Sequence, residues 1–412
     1  MAEDIPRSIA DVSAFDPEAR LDPHPKLKRL RDACPVLYDE AGKTWFLTRY
    51  EDVRGVIHDK SIARHPKLAE AGSFVASFDS SNLEIDGQEP RADTILSLDD
   101  PDHTRIRIPF TEAFYPRVKG LTAEIEAMVD AEIAALPARG QFDLVEDIAL
   151  GLPIKVIAKI IGVDESMLDQ FRAWSEAIVY SLDPLRTPEQ TEQMIQAGLE
   201  INAYFLNLMA QRRTDPRDDL TTDMVRKQAD GAELSDAEIA ANLELLLSAG
   251  NLTTTDMIGV GTWLFLNHPS EIAKLNDDPA LAGLAVEEVL RMDGPAAVTT
   301  RVIMDAREMR GCPMKAHQPM LVSLHGANHD PDVFEDPDTF NISRKGPPHV
   351  AFGGGQHICL GAPLARIEGK RFFLKLFERY PDLRIADQPN AVEFRALPLF
   401  RGLTRLIVDT GR

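Results

Sequence analysis

Residues 352–361 read Phe-Gly-Gly-Gly-Gln-His-Ile-Cys-Leu-Gly, and this stretch decides how the rest of the chain is interpreted. It places Cys359 in a glycine-rich turn just before Ala362 and Pro363, where the proline predicts the first turn of a helix. Glycines adopt dihedral angles that other residues avoid, and they let the backbone approach a flat group closely. The free N–H groups and positive dipole end of a helix N-terminus favour a thiolate over a thiol. The pattern therefore predicts a cysteine ligand of the kind that holds a haem iron.

A structural cysteine and a nucleotide-binding loop are the two other interpretations of this turn. A buried structural cysteine beside a glycine turn is common, because free cysteines are often buried, but the ten-residue pattern as a whole argues against it. A nucleotide-binding loop is excluded, because Gly353-x-Gly355 lacks a third glycine and follows no buried strand pattern. Cys34 and Cys312 are too few for a disulfide framework, so we expect packing residues in a reducing compartment.

The stretch resembles the cysteine-loop signature of the cytochrome P450 superfamily. The resemblance implies a single domain over residues 1–412, mainly α with small peripheral β-sheets and a long central helix over the haem. It also implies that haem b is held by the Cys359 thiolate, with Phe352, Gly353 and Gly361 among the residues that bind the cofactor.

Composition excludes several classes of partner. The formal net charge of −21 argues against nucleic acid and anionic membranes, since both require basic surfaces. The N-terminus has neither a basic flank nor an apolar run, and no segment approaches the length needed to span a bilayer. We therefore expect a soluble, cytoplasmic protein.

The order of elements is mostly helical. Residues 45–50 alternate like a strand and are followed by an amphipathic helix from Glu51 to about His58. Helical periodicity dominates residues 121–267, and short apolar stretches at 320–322 and near Leu403 predict further β elements.

The longest predicted helix has clear signals at both ends. Ser235 to Glu238 forms a capping box, Leu234 and Ile239 can form a hydrophobic staple, and His268-Pro269 stops the helix. Residues 249–256 then lower its helix propensity with a glycine and three threonines. A kink, or threonines that bond to the i−4 carbonyls, would explain this without function. The functional interpretation is that Gly250 makes room for a flat ligand and Thr253 faces the same cavity.

In the superfamily this helix carries Ala/Gly-Gly-x-acid-Thr over the oxygen-binding face. The chain matches at Ala249, Gly250 and Thr253 but has Leu252 where the acid belongs. The resemblance thus implies that Thr253 positions dioxygen while the usual proton route is missing. Asp256, one turn further on, could act in its place only through water.

Two further groups of residues follow from the resemblance. Glu288 and Arg291 form a Glu-x-x-Arg pair that is expected to brace the cysteine loop together with Arg344. The haem propionates need cationic or donor groups, and the matching positions are His103, Arg107, Arg301, His349 and His357.

The predicted function is a bacterial-type monooxygenase that inserts one atom of dioxygen into an apolar small molecule. Electrons would come ultimately from NAD(P)H through a small acidic iron–sulfur ferredoxin and its reductase, because the chain has no fused flavin or iron–sulfur segment. The protein is expected to be a monomer. A basic docking patch is predicted from Arg105, Arg117, Lys119, Arg366, Lys370 and Arg371. The alternatives are a peroxide-using enzyme and a non-catalytic haem-binding sensor, and Leu252 favours the sensor.

The substrate cannot be named from the sequence. An apolar pocket is predicted from the family's variable segments, with the residues Phe74, Val75, Phe78, Leu246, Ala297, Val298, Leu399 and Phe400.

Overall fold

The computed structural model describes residues 5–79 and 92–411. Most of this chain is helical, and the helices from residue 102 to residue 293 follow one another closely. The α-helices are α1 (Pro17–Leu21), α2 (His24–Ala33), α3 (Tyr50–His58), α4 (Asp102–Gly120), α5 (Thr122–Ala135), α6 (Gly151–Ile161), α7 (Leu168–Ile178), α8 (Pro188–Thr214), α9 (Leu220–Ala229), α10 (Asp236–Asn267), α11 (Pro269–Asp277), α12 (Ala282–Asp293), α13 (Leu324–Asn328) and α14 (Ala362–Arg379).

The strands are short and form small sheets. They are β1 (Val36–Asp39), β2 (Thr44–Leu47), β3 (Gln141–Asp143), β4 (Val298–Val302), β5 (Arg307–Met309), β6 (Cys312–Met314), β7 (Pro319–Ser323), β8 (Arg384–Ile385), β9 (Val392–Phe394) and β10 (Leu403–Asp409). The first sheet has the order β1-β2-β7-β4, with β2 and β7 parallel. The second has the order β3-β10-β8 with β9 also paired to β10, and β5 and β6 form a hairpin. The predicted fold class, mainly α with small sheets, is confirmed.

The long helix α10 has the predicted bounds. Ser235 Oγ accepts a hydrogen bond from the Glu238 N–H at 3.2 Å, and Glu238 Oε2 accepts one from the Ser235 N–H at 2.8 Å. These reciprocal bonds satisfy two of the helix's otherwise unpaired N–H groups. Leu234 and Ile239 are both buried in the main hydrophobic core. The helix then runs for 32 residues and ends directly before His268, packed against α6, α8, α12 and α14.

The other local predictions are confirmed, except that the strand predicted over residues 45–50 ends at Leu47 and Tyr50 already belongs to α3. The strand β2 is followed by α3, the apolar stretch near 320 is β7, and the stretch at Leu403 opens β10. The helix α14 begins at Ala362, with Pro363 in its first turn. Within the described ranges, no helix combines the length and apolar character that crossing a membrane requires.

Candidate functional site

The cysteine loop has the backbone geometry that its glycines predict. Gly353 and Gly355 have φ values of 69° and 63°, a left-handed region that favours glycine. The Cys359 N–H donates to the Phe352 carbonyl at 3.0 Å, which closes the loop. A side chain at Gly355 would collide with the carbonyl oxygen of Ile57 at the end of α3. The glycines therefore allow both the turn and its close contact with α3.

The surroundings of Cys359 affect its thiol in opposite ways. Its residue has accessible surface, yet burial raises the pKa of the thiol above its ordinary value. The N–H groups of Gly361 and Ala362 at the start of α14, together with Arg107, act in the opposite direction. The helix N-terminus therefore lowers the pKa as predicted but does not by itself overcome burial. A coordinated metal ion would overcome the effect of burial, because coordination deprotonates a thiol outright.

A buried donor cluster lies near this loop, formed by Arg64, His103, Arg301 and His357. The rings of His103 and His357 are 4.3 Å apart, and their ring nitrogens are buried without a hydrogen-bond partner in the described chain. Burial lowers the pKa of Arg64 to about 10, although the residue keeps some accessible surface. Burial and the nearby Arg64 lower the pKa of Arg301 to about 9. Buried donors without acceptors are costly, so the cluster fits an anionic ligand that accepts hydrogen bonds.

Arg64 was missed by the sequence analysis. Its guanidinium donates to the Leu96 carbonyl and to Thr299 Oγ1, the latter at 2.6 Å. The bridge between Ala63 and Val302 places it beside β4, which carries Arg301. No local motif marks such a pairing between distant segments.

Two other predicted propionate partners have different surroundings. Arg107 donates to the Ile358 carbonyl at 2.7 Å, so it supports the cysteine loop directly. His349 Nε2 lies 3.1 Å from Glu287 Oε2, and His349 Nδ1 accepts from the Ala351 N–H. Both ring nitrogens of His349 are thus occupied, and the structure does not bring this residue to the donor cluster.

One stripe of α10 is accessible although the helix is central. Accessible surface occurs at Leu245, Ser248, Ala249, Leu252 and Thr253, which share a face at helical spacing. The predicted oxygen-side residues Ala249, Leu252 and Thr253 therefore lie together on one accessible face of the helix. Thr253 Oγ1 also donates to the Ala249 carbonyl at 2.7 Å, which is the i−4 bond considered above.

Gly250 and Asp256 of the same stretch have different surroundings. Gly250 keeps accessible surface, and a Cβ added there would lie 3.4 Å from Ile157 in α6, at ordinary contact distance. Asp256 is buried, and its Oδ2 accepts a hydrogen bond from Arg395 Nη1 at 2.9 Å. Burial raises the pKa of the Asp256 carboxyl to about 7, although Arg395 acts in the opposite direction. Asp256 therefore stands off the accessible stripe, and one of its carboxylate oxygens is committed to Arg395.

The predicted brace is formed. Arg291 Nε donates to Glu288 Oε2 at 2.8 Å, and Arg344 Nε contacts both oxygens of Glu288 at 3.1 and 3.2 Å. Arg291 also donates to the Asn328 carbonyl at 3.0 Å, while Asn328 Oδ1 accepts from the Val350 N–H at 2.8 Å. A continuous set of hydrogen bonds thus connects the brace to the residue that opens the cysteine loop.

A largely apolar cavity lies between the N-terminal segment, the first sheet and the turn at 394–402. Its lining includes five of the predicted pocket residues: Phe74, Ala297, Val298, Leu399 and Phe400. The Ala297 N–H donates to the Leu399 carbonyl at 3.0 Å, which joins two of its walls. Val75, Phe78 and Leu246 do not line it. Residues 80–91 of the predicted variable loop lie outside the described residues.

The six cations of the predicted docking patch are mostly paired. Four of them form ion pairs: Arg105 with Glu238, Arg117 with Asp223, Arg366 with Glu287 and Arg371 with Asp130. Within the described part of the chain, Lys119 and Lys370 are exposed and have no ion-pair partner. The docking patch stays a prediction, and these ion pairs reduce the net positive charge that it would present.

These features together fit haem. The Cys359 sulfur can supply the iron ligand, and the stripe of α10 provides an accessible face. The unpartnered rings of His103 and His357, with the guanidinium groups of Arg64 and Arg301 beside them, suit two propionates. The fold and the site therefore place this protein in the class of haem-thiolate proteins.

Comparisons with known proteins identify the family. A family model described as Cytochrome P450 matches residues 281–390. The chain is 36% identical over 409 residues to cytochrome P450 107B1 of Saccharopolyspora erythraea, covering 98% of each chain. It is 34% identical to the 6-deoxyerythronolide B hydroxylase of the same organism, covering 92% of this chain and 94% of that protein. The crystal structure of CalO2 superposes with a TM-score of 0.87 at 29% identity, over 97% of this chain and 99% of that one.

The chain therefore belongs to the cytochrome P450 family, and it is a monooxygenase enzyme.

Proposed function

We propose that the protein inserts one atom of dioxygen into an apolar small molecule, with haem b bound through Cys359. The observation that carries this proposal is the accessible Cys359 together with a nearby donor cluster, in which the rings of His103 and His357 have no hydrogen-bond partner in the described chain. The names of relatives support it, since they include a 6-deoxyerythronolide B hydroxylase and a vitamin D(3) 25-hydroxylase. Apolar molecules also recur in related structures, among them myristic acid and corticosterone.

The cofactor would be held from two sides. Cys359 supplies the thiolate, while Arg64, His103, Arg301 and His357 donate hydrogen bonds to the propionates. Arg107 holds the loop through Ile358. When bound, the haem supplies the activation of oxygen, and the protein supplies orientation and electrostatics.

On the oxygen side, the chain's own residues limit how protons move. Thr253 Oγ1 can donate to a ligand on the stripe only by leaving the Ala249 carbonyl, to which it now donates. Leu252 cannot carry a proton, and Asp256 is held by Arg395 away from the stripe. Protons would therefore reach Thr253 through water.

The electrons would come from a separate acidic ferredoxin and its reductase, with NAD(P)H as their source, and the enzyme would act as a monomer. A peroxide-using enzyme is the second candidate, because the described stripe of α10 carries no acid. Turnover measured with the ferredoxin pair and with hydrogen peroxide separates the two. The sensor is not retained, because the relatives are named as enzymes.

Thiolate ligation is tested by reduction under carbon monoxide. The wild type should show the strongly red-shifted Soret band of a thiolate ligand, and Cys359→His should lose it. Cys34→Ala and Cys312→Ala are matched controls that should keep the band. An unchanged band in Cys359→His would refute the assignment.

A further inference from the structure

The turn at 394–402, which forms one wall of the apolar cavity, is tied to the helices by an ion pair near each end. Near its start, Arg395 pairs with Asp256 of α10, and near its end, Arg401 pairs with Asp293, the last residue of α12. Both carboxylates are buried. The two ties can therefore be compared as ion pairs in similar surroundings.

The tie at Arg401 has several partners. Arg401 Nε lies 2.6 Å from Asp293 Oδ1, and its two terminal nitrogens donate to the carbonyls of Arg20 and Leu21 at 2.8 and 2.9 Å. His24 Nε2 lies 3.1 Å from the same oxygen of Asp293. Although burial acts to raise it, Arg401 and His24 hold the pKa of the Asp293 carboxyl below its ordinary value. This end of the turn is therefore fixed.

The tie at Arg395 is less complete. Arg395 Nη1 donates to Asp256 Oδ2 at 2.9 Å, while Asp256 Oδ1 is packed against Gly402 and has no hydrogen-bond partner in the described chain. A buried ion pair offsets its desolvation only when its remaining lone pairs are also hydrogen-bonded. Burial accordingly raises the pKa of the Asp256 carboxyl despite the nearby Arg395. The ionised pair is therefore costly to keep buried.

Opening of this tie would hydrate both partners. A fifth of the Arg395 side chain is already exposed, whereas the Asp256 side chain is not exposed at all. Leu397 and Pro398 follow Arg395 in the chain and line the cavity. The cavity encloses about 40 Å³, which is room for no more than a few water molecules. Movement of this part of the turn would therefore enlarge a cavity that is nearly closed.

We propose that the Asp256–Arg395 pair is a pH-sensitive latch, which holds the start of the turn against α10 and releases it when the pair opens, while Arg401 keeps the other end in place. The direction of the effect follows from proton binding. Buried Asp256 has a pKa of about 7, and a hydrated aspartate has one of about 3.9. The closed form thus binds the proton more tightly. Opening is favoured as the pH rises from about 4 to about 7 and gains little above that.

The other charged groups near the latch do not produce this response. Arg395 is the one charged group of the described chain that shifts the pKa of Asp256. The cavity wall also carries Arg20, Arg401 and His325. Arginine stays protonated at these pH values, and burial lowers the pKa of His325 to about 4. Asp256 is therefore the group of this wall that titrates near neutral pH.

Amide hydrogen exchange of the haem-loaded protein, followed by mass spectrometry, tests the latch. The N–H groups of Arg395 and Phe400 are hydrogen-bonded within the turn, so they report its opening. After correction for the intrinsic effect of pH, exchange in the peptide 394–402 should be about tenfold faster at pH 8 than at pH 6. The peptide 307–314 of the β5–β6 hairpin is the internal control and should not respond. Equal corrected rates in the peptide 394–402 would overturn the proposal.

Variants assign the response to one carboxyl group. Asp256→Asn cannot ionise, so its corrected exchange in the turn should be the same at pH 6 and pH 8. Asp52→Asn is the matched control, because Asp52 pairs with Arg310 on another part of the protein, and it should keep the tenfold response. A tenfold response that persists in Asp256→Asn would show that another group titrates.

A titration of the wild type gives a second measure that needs no variant to fold. Carbon NMR of the Asp256 carboxyl should show an apparent pKa near 7, and a value near 4 would refute the latch. Neither measurement depends on the carbon monoxide spectrum. The latch and the proposed function can therefore fail separately.

Discussion

The brace around Glu288 and residues 249–256 of α10 both place polar groups inside the protein, but the two regions differ in how many of those groups have hydrogen-bond partners. In the brace, Glu288 accepts from two arginines and from the Asn341 N–H. On α10, the buried Asn251 Oδ1 and Asp256 Oδ1 have no hydrogen-bond partner in the described structure. A satisfied network fixes one geometry, whereas unsatisfied groups remain available to water or a ligand.

The comparison is tested most strongly by breaking the brace. Glu288→Gln leaves the buried Arg291 and the partly buried Arg344 without their carboxylate and should lower the free energy of unfolding by about 3–5 kcal/mol. Urea denaturation measures this loss. Glu378→Gln is the matched control, because its pair with Lys375 is on the surface and should cost at most about 1 kcal/mol. Equal small losses in both variants would show that the brace does not stabilise the fold.

The donor cluster is the next test, since the ring nitrogens of His103 and His357 have no hydrogen-bond partner in the described chain. Arg64→Gln should speed haem transfer to apomyoglobin by about tenfold, the effect of losing one charged hydrogen bond. Arg226→Gln should leave the rate unchanged. An unchanged rate in Arg64→Gln would remove Arg64 from the proposed propionate site.

A third test uses pH, because a histidine cluster links α2 to the end of α12. His24 stacks on His329 with ring centroids 3.9 Å apart, and Asp293, Arg401 and Asp338 are the charged groups around them. Burial lowers the pKa of both His325 and His329 to about 4, against about 6.5 when unfolded.

The sign of the effect follows from proton uptake. Between pH 6.5 and 4 the unfolded chain binds more protons than the folded one, so stability falls as the pH falls. His329→Gln should reduce the loss between pH 7 and pH 5 by about 1–2 kcal/mol. Urea midpoints at the two pH values measure it, with the exposed His58→Gln as control. A slope identical to that of the wild type would contradict the prediction.

A smaller effect is expected when an acid is restored to the stripe. Leu252→Glu should raise the product formed per reduced cofactor a few-fold, because the carboxylate can pass protons toward Thr253 and is accessible enough to stay hydrated. Leu252→Met is the control for volume. Tight coupling in the wild type that persists in Thr253→Ala would show that protons take another route.

The smallest effect concerns the redox partner. Since four of the six predicted docking cations are paired, salt should slow electron transfer only modestly, by about twofold between low and physiological ionic strength. Lys370→Glu should slow it further, and Arg226→Glu should not. A steep salt dependence that is unaffected by Lys370→Glu would place the docking surface elsewhere.

The sequence predicted those features that depend on neighbouring residues. The capping box at Ser235, the glycine dihedrals before Cys359 and the Glu288–Arg291 pair are all short-range patterns with a fixed geometry. Arg64 and Arg395 were not predicted from the sequence, because their contacts join segments that are far apart in the chain. The neighbour of Gly250 was not predictable for the same reason, since only the packed structure shows Ile157 of α6 beside it.

Gly402 has a consequence for how this protein can vary. A side chain at position 402 would overlap the carboxyl group of Asp256, although the backbone at Gly402 is not in the left-handed region. The requirement for glycine is therefore imposed by another residue and not by the local turn. Randomising position 402 alone should return only glycine among active clones. Randomising positions 256 and 402 together should return larger residues at 402 wherever the residue at 256 has become small. The two positions are therefore expected to vary together.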